Sequence, residues 1–187
     1  MNTVFFDIDT QIDFVFPSGA LYAPGAEKIL ANVAALNHRA PVVISTMDAH
    51  GEDDPEFREW PHHCVAGCLS QRKPHATLLE KPVIVPNRAC DFSIGGARQI
   101  IVEKQALDCF TNRHLESILQ VLRADRYVVY GVVTEICVRL TAFGLLKTGR
   151  PVELVTDAVC TLDEGAAARV LAEFQTAGGR LTTAALV

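Results

Sequence analysis

The chain has 187 residues, which is enough for one well-buried domain over residues 1–187 but short for two domains. Hydrophobic residues make up 49% of the sequence, so we expect a packed core and exclude a disordered chain. There are 17 Lys and Arg against 22 Asp and Glu, and the net charge of −5 with no basic run argues against nucleic acid as a partner.

Strand-like and helix-like segments alternate along the chain. Short apolar runs predict strands at 3–8, 41–46, 83–85, 100–103, 127–131, 152–156 and 180–182. Apolar residues at helical spacing predict helices at 26–38, 112–122, 135–147 and 164–177. Continuously apolar strands that alternate with helices are parallel and buried on both faces, so the chain predicts an α/β fold, a three-layer α/β/α domain.

Neither a secretory signal nor a membrane span is expected from the sequence. The N-terminus reads MNTVFFDIDT and meets acidic residues by position 7, which does not suit a signal peptide. The longest apolar runs, such as 127–133, are far too short to cross a bilayer, so no membrane partner is expected. We therefore expect a cytoplasmic protein in which the six cysteines are free thiols rather than disulfide bridges.

The carboxyl ends of parallel strands meet at one edge of a sheet, and active sites lie there. The polar residues that follow the predicted strands are Asp9, Asp48, His50, Lys104, the segment 134–137 and Asp157. Among them Cys137 lies near the start of a predicted helix, where the helix dipole and unpaired amides lower the pKa of a thiol and can bind an oxyanion. Taken alone, this residue could equally be an inert buried cysteine on an apolar helix.

Asp9 and Lys104 are the candidates to act with this thiol. Asp9 ends the first strand and could accept the thiol proton as a general base, although a lone Asp in such a place more often caps a helix or orders a loop. Lys104 ends the strand at 100–103 and could stabilise nearby negative charge, or it could be merely solvated. Three such groups at strand ends that should lie close together indicate a site more strongly than each does alone.

A second set of polar residues suggests a metal site. It consists of Asp48 and His50, then Glu56, then the pair His62-His63. Alternate residues of an extended segment face the same side, so Asp48 and His50 could present two ligands together. A later His and a carboxylate would complete a mixed nitrogen and oxygen shell that suits Zn²⁺, Fe²⁺ or Mn²⁺. A polar, solvated surface loop is the alternative interpretation of the same residues.

Motifs spread over nearly the whole chain, in order, match those of a known family. They are DTQIDF at 9–14, STMDAH at 45–50, WPHHCVAG at 60–67, EK at 103–104 with DCFT at 108–111, GVVTEICV at 131–138 and DA at 157–158. In these motifs the chain resembles the isochorismatase-like cysteine hydrolases, and among them the nicotinamidase or pyrazinamidase type. The resemblance implies a mostly parallel six-stranded sheet between helices.

The resemblance also assigns roles to the residues of the nucleophile site. It implies that Asp9, Lys104 and Cys137 form a catalytic triad. It implies that the peptide bond between Val132 and Val133 is cis, with the amides of Val133 and Cys137 directed at the oxyanion. The implied reaction is hydrolysis of a small amide, nicotinamide above all, to the acid and ammonia through a thioester intermediate.

For the second set of residues, the resemblance implies one divalent metal ion held by Asp48, His50 and His63. Zinc is the expected metal, with iron or manganese as alternatives. Some nicotinamidases add a fourth ligand, and Glu56, seven residues before His63, is the candidate for it here.

The resemblance further implies that Phe14 and Trp60 line the pocket and sandwich a flat aromatic ring, and that the protein is a homo-oligomer. Departures from the family's usual residues at 67–70, Gln105 and Ile136 leave the exact substrate open. Another amidase or a carbamoyl hydrolase with the same triad is one alternative, and a non-catalytic oligomeric scaffold is another. Isochorismatase activity would need neither the metal nor the attacking cysteine and fits these residues less well.

Overall fold

Strands and helices alternate through residues 2–187, the part of the chain that a computed structural model describes. The strands are β1 (Thr3–Ile8), β2 (Val42–Asp48), β3 (Val83–Val85), β4 (Gln99–Lys104), β5 (Arg126–Val132), β6 (Val152–Cys160) and β7 (Arg180–Thr182). The α-helices are α1 (Ile12–Val15), α2 (Leu30–Arg39), α3 (Leu115–Leu122), α4 (Arg139–Leu146) and α5 (Glu164–Thr176). Single turns of 3₁₀-helix lie at Ala26–Ile29, Pro55–Arg58, His75–Thr77 and Cys109–Thr111, and a π-helical turn lies at Thr134–Val138.

All strands belong to one sheet, in the order β3-β4-β2-β1-β5-β6-β7. Every neighbouring pair is parallel. The predicted three-layer α/β fold is confirmed, but the sheet has seven strands rather than six and is parallel throughout. The apolar runs predict seven strands, including the three-residue edge strands β3 and β7, whereas the count of six comes from the family resemblance.

Two apolar clusters cover the two faces of the sheet. On one face, Phe6, Ile44 and Val129 pack with Ile118 of α3, Leu145 of α4 and Phe174 of α5. On the other face, Phe5, Val43 and Val128 pack with Val33 and Leu36 of α2. Adjacent strand residues therefore serve opposite faces, and helices on both faces explain why the strands are continuously apolar.

Local hydrogen bonding explains why one helix begins later than predicted. The side chain of Asn112 donates to the carbonyl oxygen of Glu103 (2.7 Å) and accepts from the amide of His114 (2.8 Å). Asn112 therefore joins the end of β4 to the entry of α3, and the α-helix starts only at Leu115. The predicted helix 135–147 is likewise divided, because its first residues form the π-helical turn Thr134–Val138 before α4.

Within residues 2–187, no helix combines the length and the hydropathy needed to cross a bilayer.

Gly131 allows β1 and β5 to approach each other directly beside the polar edge of the sheet. Its φ is +122°, and a Cβ at this position would lie 2.1 Å from the carbonyl oxygen of Ile8. Gly149 also has a positive φ, of +75°, but a Cβ there would meet no atom within 4 Å. A side chain at Gly149 would therefore add backbone strain alone, whereas a side chain at Gly131 would add backbone strain and a clash between β5 and β1.

We expect Gly131→Ala to lower the free energy of unfolding by about 3 kcal/mol or more, because it adds a steric clash to a strained backbone conformation. Gly149→Ala is the matched control and should cost only about 1 kcal/mol. Urea unfolding of both variants measures the difference. Equal losses in the two variants would contradict the close approach of β1 and β5.

Candidate active site

A buried lysine joins the ends of four neighbouring strands. Lys104 ends β4, and its Nζ lies 3.0 Å from Oδ2 of Asp9, which follows β1. The same Nζ contacts Oδ1 of Asp48 at the end of β2 and lies 4.0 Å from Sγ of Cys137, which follows β5. Because β4, β2, β1 and β5 are consecutive in the sheet, the parallel topology brings together the three residues predicted as a triad.

Burial and charge determine how these groups ionise. Burial by itself would lower the pKa of Lys104, but the carboxylates of Asp48 and Asp9 outweigh it and raise that pKa well above its usual value. Burial raises the pKa of Asp48 to about 6, although the Lys104 ammonium opposes the shift. One cation thus serves two carboxylates in a site that water hardly reaches.

The pKa of Cys137 differs in direction from the sequence-based expectation. Burial raises the pKa of this thiol well above its usual value; the Lys104 ammonium opposes the rise, and the Asp9 carboxylate adds to it. The expectation of a lowered pKa near a helix start is therefore wrong, because loss of hydration outweighs the effect of the neighbouring cation. The raised pKa favours the protonated thiol, so nucleophilic attack calls for a base to remove the proton.

Asp9 is oriented so that one carboxylate oxygen is held and the other is available. Thr46 Oγ1 donates to Asp9 Oδ1 (2.5 Å) and accepts from the Asp9 amide (3.1 Å). Asp9 has a left-handed φ of +47°. Its buried Oδ2 has no hydrogen-bond partner among residues 2–187, since the Lys104 ammonium is close but poorly aligned. Asp9 Oδ2 can therefore accept a proton from Cys137.

The turn that carries the thiol follows β5 directly. The peptide bond between Val132 and Val133 is cis, the configuration that the family resemblance implies. The carbonyl oxygen of Val133 accepts from the amides of Ile136 (3.1 Å) and Val138 (3.2 Å), which closes the π-helical turn. Cys137 is 8% exposed, so the residue is largely buried.

Three of the predicted metal ligands lie together beside Lys104. Asp48, His50 and His63 each offer a ligand atom within 4.8 Å of the others, and all three residues are buried. Neither ring nitrogen of His50 has a hydrogen-bond partner among the described residues. The Nδ1 of His63 donates to the carbonyl oxygen of Pro61 (2.7 Å), which leaves its Nε2 as the unprotonated nitrogen. Unpaired buried imidazole nitrogens with a carboxylate form a donor set that fits a divalent metal such as zinc.

Glu56 lies at the edge of this group rather than inside it. Its Oε1 is 3.8 Å from Nε2 of His63, and it belongs to a second group of potential ligands with His50 and Asp54. The structure therefore places Glu56 near two of the predicted ligands but does not include it in the compact group with Asp48.

Asp54 is a site residue that sequence reasoning missed. Its Oδ2 lies 3.1 Å from Nδ1 of His50, although the pair is not aligned as a full hydrogen bond. Its Oδ1 accepts from the amide of Glu56 (3.0 Å) and caps the 3₁₀ turn Pro55–Arg58. In the sequence Asp54 is one of several acids in a polar loop, and the Asp-Pro step that marks a helix start is the only local signal of its role.

Two residues of the motif at 9–14 support the site without facing the pocket. Gln11 donates to the carbonyl oxygen of Asp48 (2.9 Å) and accepts from its amide (2.7 Å), so it fixes the backbone at the end of β2. Asp13 accepts from the amide of Cys64 (2.7 Å), which fixes the segment next to His63. The segment after β1 therefore positions both the carboxylate and the imidazole of the candidate metal site.

These groups open into one small pocket with a volume of about 90 Å³. Phe14 and Trp60 are among its lining residues, and Phe14 packs against the ring of His63 at a centroid distance of 5.5 Å. The other lining residues are Asp9, Leu21, Tyr22, Ala23, Asp48, Glu56, His63, Leu107, Val132, Val133, Ile136, Cys137 and Leu162. The pocket is mostly apolar.

One polar residue that was expected at a strand end does not reach the pocket. β6 extends to Cys160, so Asp157 lies within the strand instead of following it. Its carboxylate accepts from the amide of Ala184 (2.7 Å) and its carbonyl oxygen accepts from the side chain of Asn32 (2.6 Å). The structure gives Asp157 a role in joining the C-terminal segment to the sheet.

Several solved structures share the fold over nearly their full lengths. The pyrazinamidase of Pyrococcus horikoshii in complex with zinc is 28% identical, with a TM-score of 0.80, and the match covers 98% of this chain and 99% of that one. The pyrazinamidase/nicotinamidase of Streptococcus mutans is 24% identical, with a TM-score of 0.81 and coverage of 96% and 99%. The N-carbamoylsarcosine amidase of Thermoplasma acidophilum is 22% identical, with a TM-score of 0.78 and coverage of 100% and 99%.

Comparison with curated proteins gives no significant match. Comparison with family profiles identifies an isochorismatase domain over residues 3–185. The match includes every strand and every residue of the pocket. The chain therefore belongs to the isochorismatase family.

Proposed function

We propose that this protein is a metal-dependent cysteine amidohydrolase that converts nicotinamide to nicotinate and ammonia. The observation that carries the proposal is that one small pocket is lined by a thiol, a candidate base and candidate metal ligands. Asp48 contacts Lys104 of the predicted triad and is also one of the candidate metal ligands. The 28% identical pyrazinamidase, which was solved with zinc, supports both the amide substrate and the metal.

The reaction begins with a proton transfer inside the site. Asp9 Oδ2 accepts the proton of the Cys137 thiol, and the thiolate attacks the carboxamide carbon of the substrate. The Lys104 ammonium, 3.0 Å from Asp9 and 4.0 Å from the sulfur, offsets the negative charge while it moves between them. The high pKa of the thiol makes this base necessary.

The tetrahedral intermediate then collapses and the enzyme is regenerated. The amides of Val133 and Cys137 bind the oxyanion, and protonated Asp9 gives its proton to the leaving nitrogen, which departs as ammonia. The acyl group remains on Cys137 as a thioester. A water molecule, deprotonated by Asp9, attacks the thioester and releases nicotinate, and the sulfur takes its proton back.

Asp48, His50 and His63 would hold the metal, and Glu56 is the candidate for a fourth position. When bound, the metal supplies a Lewis acid that can bind the ring nitrogen of the substrate and so orient the amide toward the sulfur. Phe14 and Trp60 pack against the ring faces at the pocket wall.

Formation of a homo-oligomer stays a prediction, and sedimentation of the purified protein would check it.

The nucleophile is tested by replacing the thiol. We expect Cys137→Ala to lower kcat for ammonia release from nicotinamide at least about 1,000-fold, because no thioester can form. Cys68→Ala is the matched control, since Cys68 is exposed and does not line the pocket, and it should keep full activity.

Full activity of Cys137→Ala would exclude the mechanism. The same assay with pyrazinamide and with an N-carbamoyl amino acid defines the substrate class. Hydrolysis of the carbamoyl compound together with inertness toward nicotinamide would overturn the nicotinamidase assignment and favour a carbamoyl hydrolase.

The metal site is tested with the adjacent histidines. We expect the protein to bind about one divalent ion per chain and His63→Ala to lose it, because His63 supplies a buried ligand nitrogen. His62→Ala should retain the ion, since His62 is exposed and stacks on Phe57. Elemental analysis measures the metal content, and chelation followed by re-addition of zinc, iron or manganese measures its effect on ammonia release. Unchanged activity after complete removal of the metal would exclude its role.

The role of Asp54 is tested by metal affinity. In Asp54→Asn, an amide N–H facing Nδ1 of His50 favours the tautomer with the proton on Nε2, which cannot bind a metal. We expect affinity for zinc to fall about 10- to 100-fold, as measured by competition with a chromogenic chelator. Asp53→Asn is the matched control because Asp53 is exposed and adjacent. Equal affinities of the two variants would show that Asp54 does not orient His50.

A further inference from the structure

Glu135 precedes the nucleophile by two residues, and the proposed reaction gives it no role. Its half-buried carboxylate accepts three hydrogen bonds from the loop between β6 and α5. The donors are Oγ1 of Thr161 (2.7 Å), the amide of Leu162 (2.8 Å) and the amide of Asp163 (2.9 Å). Charge-assisted bonds to two successive amides and a hydroxyl fix the position of this loop relative to the turn that carries Cys137.

Leu162, on this loop, lines the pocket although 52% of its surface is exposed. Leu107 and Trp60 also line the pocket and are 41% and 37% exposed. These three large apolar side chains come from three different loops, and we call them the apolar rim. Exposed apolar groups gathered around a cavity are typical of a surface that a ligand covers.

We propose that Leu162 is a specificity-determining residue that limits the substrate to a single flat ring, and that Glu135 is the positioning residue that holds Leu162 at the rim. The inference rests on the proposed function, because it takes a ring amide as the substrate. A cavity of about 90 Å³ leaves little room beyond one ring, and the side chain of Leu162 belongs to its wall.

The π-helical turn that carries Cys137 and the loop between β6 and α5 that carries Leu162 are joined at a second point. This second connection fixes the distance between Cys137 and Leu162. Thr134 Oγ1 donates to the carbonyl oxygen of Cys160 (2.9 Å), at the end of β6. Cys137 and Leu162 therefore stand on two segments that residues 134 and 135 hold together. Loosening this connection should enlarge the pocket at the rim while leaving Asp9 and Lys104 in place.

Steady-state kinetics with nicotinamide and with quinoline-3-carboxamide, which carries a fused second ring, test the proposal. We expect Leu162→Ala to raise KM for nicotinamide about 5-fold with little change in kcat, and to shift kcat/KM about 10-fold in favour of the two-ring amide. Leu186→Ala is the matched control, because Leu186 is 75% exposed and lies outside the pocket. An unchanged ratio in Leu162→Ala would overturn the proposal.

The positioning role of Glu135 predicts a specific pattern among its variants. Glu135→Ala should shift the ratio in the same direction as Leu162→Ala, whereas Glu135→Gln should stay near wild type because the amide oxygen still accepts from both backbone amides. Glu164→Ala, at an exposed acid in the first turn of α5, should have no effect. The double variant Glu135→Ala/Leu162→Ala should match Leu162→Ala alone. Additive effects in the double variant would overturn the positioning role.

A readout without catalysis separates this inference from the proposed function. Alkylation of Cys137 by iodoacetamide and by its N-benzyl derivative, followed by mass spectrometry, measures access to the thiol for a small and a bulky reagent. We expect the bulky-to-small rate ratio to rise about 10-fold in Leu162→Ala and in Glu135→Ala, but not in Leu186→Ala. If the wild type does not hydrolyse nicotinamide but this ratio rises in the variants, the proposed function is wrong, while the roles of Leu162 and Glu135 in limiting access to Cys137 are supported. An unchanged ratio in folded variants, judged by thermal unfolding, overturns the inference.

Discussion

The buried ammonium of Lys104 is the interaction on which the site depends. Moving a single charge out of water costs several kcal/mol, and only close, opposite charges offset that cost. Here Asp48 at the end of β2 and Asp9 directly after β1 supply the two negative charges. In the sheet, β2 is the neighbour of β4, and β1 is the next strand toward β5. Loss of either carboxylate would leave the ammonium undercompensated, so the arrangement holds only when all three strand ends are in register.

Asp48 connects the two halves of the pocket. One of its oxygens contacts the Lys104 ammonium, and the other lies 4.0 Å from Nε2 of His50. The side chain of Gln11 donates to the backbone carbonyl oxygen of Asp48 and accepts from its backbone amide, so it fixes the backbone at this residue. A charge placed near His50 therefore changes the electrostatic potential at Cys137 through the carboxylate of Asp48. We expect the metal-ligand half and the thiol half of the pocket to be electrostatically coupled.

The sequence predicted the strands and the convergence of polar residues at one edge because both depend on local pattern and on one topological rule. Apolar runs mark buried parallel strands, and polar residues that follow them converge at one edge, as Asp9, Lys104 and Cys137 do. The direction of the Cys137 pKa could not be predicted, because it depends on how completely distant segments exclude water. Asp54 escaped prediction because nothing in a run of acids shows which one faces an imidazole.

The four strand ends that surround Lys104 also have a consequence for folding. Their reactive side chains lie at positions 9, 48, 104 and 137, so every contact among them joins segments that are far apart in the chain. We expect such contacts to form late in folding, because the entropic cost of closing long loops must be met before the contacts can stabilise the fold. A partly folded chain can bury hydrophobic surface, but it cannot assemble the lysine with its two carboxylates and the thiol. Assembly of Lys104 with both carboxylates and the Cys137 thiol therefore requires that the whole sheet from β4 to β5 has closed.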